Sequence, residues 1–473
     1  MKLDEYKQQD GIALAQLIAT GAVSAESVAK LAMAALDSEN DSNNAVIGAT
    51  PAEAERALSR KSGSPLAGVP FLIKDIGLSF AGVPCEFGSR LGKGFVPDHD
   101  TALGRRIKEA GLVTIGRTNT PEFGCNGTTE PVHGGITRNP WNTAHSAGGS
   151  SGGAAAAVAA GIVPVAHAND GGGSIRIPAH CCGVFGLKPS RGMISAAPDA
   201  DEAFFGMGSQ LVVSRTVRDS AAAFDIFRGR EPGDRFVLPP AATSALQATL
   251  SAPQPLRILF WSAMADGSSP ANDQYMTALN DLADRLRSLG HAVQEAPLPV
   301  DHHIGGDLFL NLAGIGAMHA IDSLAAGLQR PIDESTLEVG TLRFYEHGKR
   351  QSAADIMRAM DALNTVIRGV GAVFQEADIV LSPVGIADAP VVGELDQNRA
   401  WGSGEEWKNH IFSHYPIPAL CNVTGQPAMS VPMGLSARGL PLGAHFIGDM
   451  GQENLLFQLA AQIERERPWP NLV

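Results

Sequence analysis

The sequence predicts an α/β fold in which helices cover a central sheet. Three observations lead there. Apolar strand-like runs and helix-like segments alternate from Pro65 to the end of the chain. The 53 glycines and 30 prolines supply the tight connections that such alternation needs. A chain of 473 residues, 44% of them hydrophobic, can also bury a large core. Length alone would allow about two or three domains. No internal repeat or low-complexity tail is present, and the Pro/Ala/Ser-rich stretch 231–252 reads as a surface excursion, so residues 1–473 are expected to form a single domain.

Each element follows from local pattern. Residues 11–36 carry apolar side chains at helical spacing, interrupted at Gly21-Ala22-Val23-Ser24, and read as two helices. Thr50-Pro51-Ala52-Glu53 reads as a helix start, with Thr50 as cap, Pro51 in the first turn and Glu53 completing a capping box. Residues 68–73 form a buried strand that delivers Lys74-Asp75 at its end. A helix at 100–110 closes on Gly111, and 112–116 is the next strand. The alanine-rich run 151–160 is a helix, followed by a strand at 162–168. Then come a strand at 256–261, a helix at 271–289 ended by Gly290, and strands at 292–295 and 377–383. The chain finishes with strands at 428–431 and 442–447 and a helix at 453–464.

Two glycine-set serines carry the chemistry. One lies in Ser146-Ala147-Gly148-Gly149-Ser150-Ser151-Gly152-Gly153, the other in Asn169-Asp170-Gly171-Gly172-Gly173-Ser174-Ile175-Arg176-Ile177-Pro178. Glycines before a serine let bare backbone N–H groups approach a bound group. Such a nest suits the oxyanion that develops when an acyl carbonyl is attacked, so the pattern points to acyl transfer at a serine. A serine hydroxyl also needs a group to take its proton. None of the 13 histidines is tied by local motif to either cluster, although His167 and His180 flank the second. Lys74 is the better candidate because it ends an unbroken apolar strand. Bringing a lysine from about 10.4 to near 7 takes roughly 4–5 kcal/mol, which burial can supply. The competing reading pairs Lys74 with its neighbour Asp75.

The combination Gly-Val-Pro-Phe-Leu-Ile-Lys74-Asp, Gly-Gly-Ser150-Ser-Gly-Gly and Asp170-Gly-Gly-Gly-Ser174-Ile-Arg176-Ile-Pro resembles the amidase signature family. Gly116 to Gly124, Thr137-Arg138-Asn139-Pro140-Trp141, Cys182 to Pro189, Gly425 to Pro432 and Gly439 to Gly443 extend the match over nearly the whole chain. The resemblance implies one domain with a mixed central β-sheet between helical layers. Its signature core would span about 65–195 and its substrate-shaping region about 200–420.

It further implies a Ser–cis-Ser–Lys triad. Ser174 would be the nucleophile, Ser150 the bridging serine after a cis peptide at Gly149, and neutral Lys74 the base. The N–H groups of Gly171, Gly172, Gly173 and Ser174 would form the oxyanion hole. Ser151 and Gly149 would support the triad, while Asp170 and Arg176 would orient the loop and Ser150; the competing reading of Arg176 is a surface cation. Asn169 and Gly171 depart from the Ser or Thr, and the Thr, more common there. These departures and the Thr-Thr-Glu and Thr-Arg-Asn-Pro-Trp stretches are similar to the subgroup of nylon cyclic-oligomer hydrolases and urethanases.

The expected activity is hydrolysis of the C–N bond of linear or cyclic amides through an acyl-enzyme. Carbamates and esters are open to the same triad. No cofactor is expected, and the family is often homodimeric. The alternative is the glutaminase subunit of a tRNA-dependent amidotransferase, which hands ammonia to a partner. Candidate pocket walls are Cys125, Asn126, Gly127, Phe205, Leu312, Ile315, Phe412 and Tyr415, each of which also reads as a core residue. If they line the site, the substrate is apolar or aromatic.

Other classes fit poorly. Gly148-Gly149-Ser150-Ser151-Gly152 spells a nucleophile elbow, but that motif must follow a strand and 142–146 is polar and turn-like. Neither cluster forms a phosphate loop. No cysteine or histidine spacing suits a metal, and His302-His303 reads as a solvated loop. A net charge of −13 disfavours a nucleic-acid partner. No apolar run approaches about 20 residues and the N-terminus lacks a signal-type apolar region, so a cytoplasmic chain without membrane contact is expected. The five cysteines, including adjacent Cys181 and Cys182, read as reduced packing residues.

Overall fold

A computed structural model describes residues 1–239, 241–301 and 303–473. His302 of the expected solvated pair lies outside the described residues, as does Pro240 of the surface excursion; His303 opens a helix, His303–Leu308. The strands are β1 (Val46–Ala49), β2 (Pro70–Lys74), β3 (Val113–Thr118), β4 (Arg138–Asn139), β5 (Asn142–Ser146), β6 (Val165–Asp170) and β7 (Phe185–Lys188). They continue as β8 (Ser209–Ser214), β9 (Arg257–Ala263), β10 (Ala292–Pro297), β11 (Ile379–Pro383), β12 (Ala428–Leu435) and β13 (Pro441–Gly448).

Among the described residues, eleven strands form one sheet in the order β1-β3-β2-β6-β8-β7-β12-β13-β11-β9-β10. Strand β2 runs parallel to β3 and β6, and β9 parallel to β10 and β11. The middle of the sheet, from β6 through β11, is antiparallel. The sheet is therefore mixed, as the resemblance implied. Side chains alternate across it. Ile379 and Leu381 join one apolar cluster with Val28, Phe224, Leu279 and Leu456. Val380 between them joins a second with Leu312, Ile321, Leu363 and Trp407.

The helix Gly152–Ala159 is buried at every position, and its small side chains permit this. A Cβ on Gly153 would lie 2.4 Å from the Asn119 backbone nitrogen and 2.5 Å from the Ala45 carbonyl oxygen. This close approach packs the helix against the end of β3 and the start of β1, while Ser150 and Ser151 meet Lys74 at the end of β2 and Asn169 near the end of β6.

Three local expectations are corrected. The Thr50 hydroxyl donates to the Thr114 carbonyl at 2.9 Å instead of capping its helix, and Glu53 pairs with Arg56 and Arg60. A neighbouring strand offers Thr50 a buried acceptor, so no capping box forms. Residues 142–146 are not a turn but strand β5, paired with β4 and bridged from His145 to Val391. Their polarity reflects the exposed outer half of this ribbon. Finally, the helical run His303–Leu328, with a π turn at Phe309–Ala313, is long and apolar enough to cross a bilayer by length and composition. Here its Leu310, Leu312, Ala313, Ala317 and Ile321 are buried in the second apolar cluster.

Candidate active site

Strand β2 ends on Lys74, which is 1% exposed. Its Nζ lies 2.7 Å from Ser150 Oγ, 2.9 Å from Ser151 Oγ and 2.6 Å from Asn169 Oδ1. Burial drives its pKa well below the ordinary lysine value, against the opposing pull of the Asp170 charge. The competing pairing with Asp75 does not occur. Asp75 binds the Arg117 guanidinium and accepts the backbone N–H groups of Glu86 and Gly88.

Ser150 is buried, and the Gly149–Ser150 peptide is cis. The Ser151 hydroxyl donates to the Asn169 carbonyl at 3.2 Å, and the Ser151 N–H donates to the Ser174 carbonyl at 3.2 Å. The two serine clusters are thus joined through their backbones. Ser174 is half-buried, and its hydroxyl has no partner among the described residues, so the structure does not hydrogen-bond it to Ser150.

The loop from Gly171 to Ser174 is tied down by Asp170. Its carboxylate accepts the N–H groups of Gly173 at 2.7 Å and Ile175 at 3.0 Å. It also accepts two guanidinium bonds from Arg176, both 2.9 Å, and one from Asn422 Nδ2 at 2.8 Å. Burial works to raise the Asp170 pKa, but the Arg176 charge and these donors outweigh it and hold the carboxyl well below its usual range. Arg176 is fully buried, not a surface cation. Its remaining N–H groups reach Pro418 O at 2.9 Å, Asn422 Oδ1 at 2.7 Å and His445 Nε2 at 3.0 Å. Asp170 and Arg176 therefore orient the loop, but neither touches Ser150.

One expected donor is corrected. The Gly173 N–H is committed to Asp170, which leaves those of Gly171, Gly172 and Ser174 for a ligand. Gly173 itself sits at φ +125°, and a Cβ there would come within 2.7 Å of Ile177 and 2.8 Å of Pro418.

His167 is excluded as a base. Its Nδ1 accepts the Lys74 backbone N–H and its Nε2 meets Gln210, while burial pushes its pKa down to about 3. His180 is equally buried, bonded to the Gly443 N–H and the Ala387 carbonyl.

The candidate pocket residues divide. Cys125 follows Gly124, whose Cβ position lies 3.3 Å from Ser150 Oγ, so this turn borders the site. Asn126 spends its amide on Leu395 O and the Gly127 N–H. Leu312 and Tyr415 are corrected to core residues: Leu312 has no exposed surface, and Tyr415 is 2% exposed with its ring on Gly127 and its hydroxyl on Cys181. Phe205, Ile315 and Phe412 are half-buried. All five cysteines are free and buried.

Two rings border the loop: Phe204, which opens the stretch 204–207 that the sequence offers as substrate-shaping, and Phe309, which sequence reasoning missed. A Cβ on Gly172 would lie 3.1 Å from Phe309, and one on Gly171 3.9 Å from Phe204. Phe412 meets Phe309 edge-on, with centroids 5.5 Å apart. Asn422 and His445 were also missed, because nothing in their local sequence marks them. Asn169 had a signal, its departure from the family pattern.

A mixed α/β sheet that brings a buried lysine against Ser150 and Ser151, with the second serine cluster joined to them through the Ser174 carbonyl, has the architecture of a serine hydrolase of the amidase class. A family model described as Amidase matches residues 15–457. The 6-aminohexanoate-cyclic-dimer hydrolase of Paenarthrobacter ureafaciens is 35% identical over 477 residues, covering 98% of this chain and 95% of that protein. A structure of 6-aminohexanoate cyclic dimer hydrolase complexed with substrate superposes with a TM-score of 0.91 at 33% identity, over 98% of both chains. A bacterial aryl acylamidase of the amidase signature family gives 0.87 at 25% identity, over 97% of this chain and 96% of that one. The chain belongs to the amidase family and is a hydrolase of amide C–N bonds.

Proposed function

We propose that the chain cleaves small uncharged amides through an acyl-enzyme on Ser174. The observation that carries this is the 2.7 Å contact between Ser150 and a buried lysine whose pKa burial drives well below the ordinary value, beside a half-buried Ser174. Ser174 Oγ attacks the carbonyl carbon as its proton passes to Ser150 and the Ser150 proton passes to Lys74. The oxyanion is held by the N–H groups of Gly171, Gly172 and Ser174. Collapse breaks the C–N bond while the Lys74 proton returns through Ser150 to the leaving amine. Water then attacks the ester by the same relay and releases the acid.

Substrate class follows from the walls. Phe204, Phe309 and Phe412 are half-buried around the loop, and the nearby charges of Asp170 and Arg176 are spent on each other. This favours a neutral substrate with an apolar or aromatic flank. Cyclic 6-aminohexanoate dimers and aryl amides, the substrates in the relatives' names, both qualify, and aryl carbamates and esters share the chemistry. The expected homodimer rests on the resemblance alone, and analytical ultracentrifugation tests it.

The test is amine release, read by mass spectrometry, from a panel of 6-aminohexanoate cyclic and linear dimers, aryl anilides, aryl carbamates, aliphatic amides and glutamine. Wild type should release amine from the apolar or cyclic members, and Ser174→Ala from none. Equal turnover by Ser174→Ala would sink the reading. Action on glutamine alone would favour the amidotransferase subunit.

A further inference from the structure

We propose that Asn169 is a positioning residue for the base: its amide oxygen takes one N–H of neutral Lys74 and so aims the amine's lone pair at Ser150. The proposal rests on the reading of Lys74 as base. It comes from counting protons at Nζ. A neutral lysine has two N–H groups and one lone pair, and three oxygens lie within 2.9 Å of it.

Two of those oxygens can only accept from it. Asn169 Nδ2 donates to the Ile76 carbonyl at 2.8 Å, which turns Oδ1, an acceptor without a proton, toward Nζ. The Ser151 hydroxyl proton is committed to the Asn169 carbonyl, so Ser151 Oγ also accepts from Nζ. Both N–H groups are then used. The lone pair is left for the third oxygen, Ser150 Oγ, whose hydroxyl proton it must take in the first step. The Ile76 carbonyl holds the amide in this orientation, and Gly77 makes room for it: a Cβ there would lie 2.4 Å from Asn169 Nδ2.

The groups facing Lys74 are otherwise neutral or turned aside. From β6, His167 accepts the Lys74 backbone N–H and Asp170 is bound to Arg176. From the turn after β2, Asp75 is bound to Arg117. Across the sheet, Gln210 of β8 holds His167. From the first serine cluster come only the two hydroxyls.

The experiment is kcat and KM against pH for wild type, Asn169→Asp, Asn169→Leu and Asn169→Thr, using the best amide from the panel. Asn169→Asp places a carboxylate where the amide oxygen is and favours the ammonium form. Activity that rises as Lys74 loses its proton should then rise at a pH higher by about 1–3 units. Asn169→Leu keeps the bulk but no acceptor, and kcat should fall about 10- to 100-fold with KM little changed. Asn169→Thr, which restores an acceptor, should recover most of that loss. An acid limb in Asn169→Asp at the wild-type pH would overturn the proposal, as would a kcat in Asn169→Leu within about twofold of wild type. If Asn169→Leu fails to fold by thermal melting, the shift in Asn169→Asp and the rescue by Asn169→Thr decide. Ser174→Ala separates the two failures: active, it removes the base reading itself; inactive beside unshifted Asn169 profiles, it removes only the role of Asn169.

Discussion

Asp170→Asn tests whether the loop is held by charge. The substitution keeps shape but leaves Arg176 fully buried without its counter-ion. Removing one partner of a buried pair costs about 3–5 kcal/mol. Arg176 retains Pro418 O, Asn422 Oδ1 and His445 Nε2, which places the loss near the lower end, about 3 kcal/mol. With an unfolding entropy of about 2 cal/mol/K per residue, a chain of this length should melt about 3 °C lower. The loop also loses the charged acceptor of the Gly173 and Ile175 N–H groups, so kcat should fall about tenfold or more.

Acid sensitivity follows with a definite sign. The folded Asp170 pKa is depressed, so its contribution is present above the unfolded value of about 4 and fades as pH falls below it. Asp170→Asn should abolish that part of acid destabilisation. The assay is calorimetry and kcat for Asp170→Asn, Arg176→Met and the double variant. The double should lose less than the two singles together by about 2 kcal/mol, because it leaves no unpaired charge. Strict additivity, or an Asp170→Asn enzyme with wild-type melting and kcat, would refute the reasoning.

Other consequences are as specific. Glu122 is buried against Glu338, and burial first, then that neighbouring charge, raises its pKa to about 7. The folded state therefore holds a proton that the unfolded chain releases near pH 4.5, and stability should decline from there up to about pH 7. Glu122→Gln should flatten this slope in melting curves between those limits. Gly173→Ala forces a Cβ to 2.7 Å from Ile177 at φ +125° and should cost about 1–3 kcal/mol, with nearly complete loss of turnover in the amide assay. Phe309→Leu removes the ring beside Gly172, so the ratio of kcat/KM for aryl over aliphatic amides should drop, whereas thermal melting falls only modestly.

Much of this was legible because strand ends and glycine runs leave local signals. The apolar run ahead of Lys74, the alanine helix behind Ser151 and the cis peptide at Gly149 all appear where sequence and resemblance put them. What was hidden depends on distant partners. Polar β5 is a strand only because β4 and Val391 pair with it. Thr50 fails to cap because Thr114, far along the chain, offers a carbonyl. Asn422 and His445 complete the Arg176 shell from the C-terminal strands and the helix before them, with ordinary local sequence. Nor does spacing reveal which of several apolar residues border the loop, since Leu312 and Ile315 lie on one helical run yet differ in exposure.

The site's electrostatics depend on strand register. Asn169 and Asp170 are consecutive at the end of β6, and successive side chains of a strand point to opposite faces. The uncharged amide therefore meets Lys74, while the carboxylate is turned toward Arg176. Were the register slipped by one residue, an unshielded carboxylate would face Nζ and keep it protonated, and Arg176 would lose its anchor. The amide beside the proposed base and the carboxylate that fixes the loop thus come from one dipeptide. Each also needs the other's partner kept apart: the carboxylate that secures the loop would disable the lysine if it faced it. Asn169→Asp recreates part of that slipped arrangement without moving the backbone, which makes its pH profile a measure of how far the β6 alternation, and not burial alone, sets the state of Lys74.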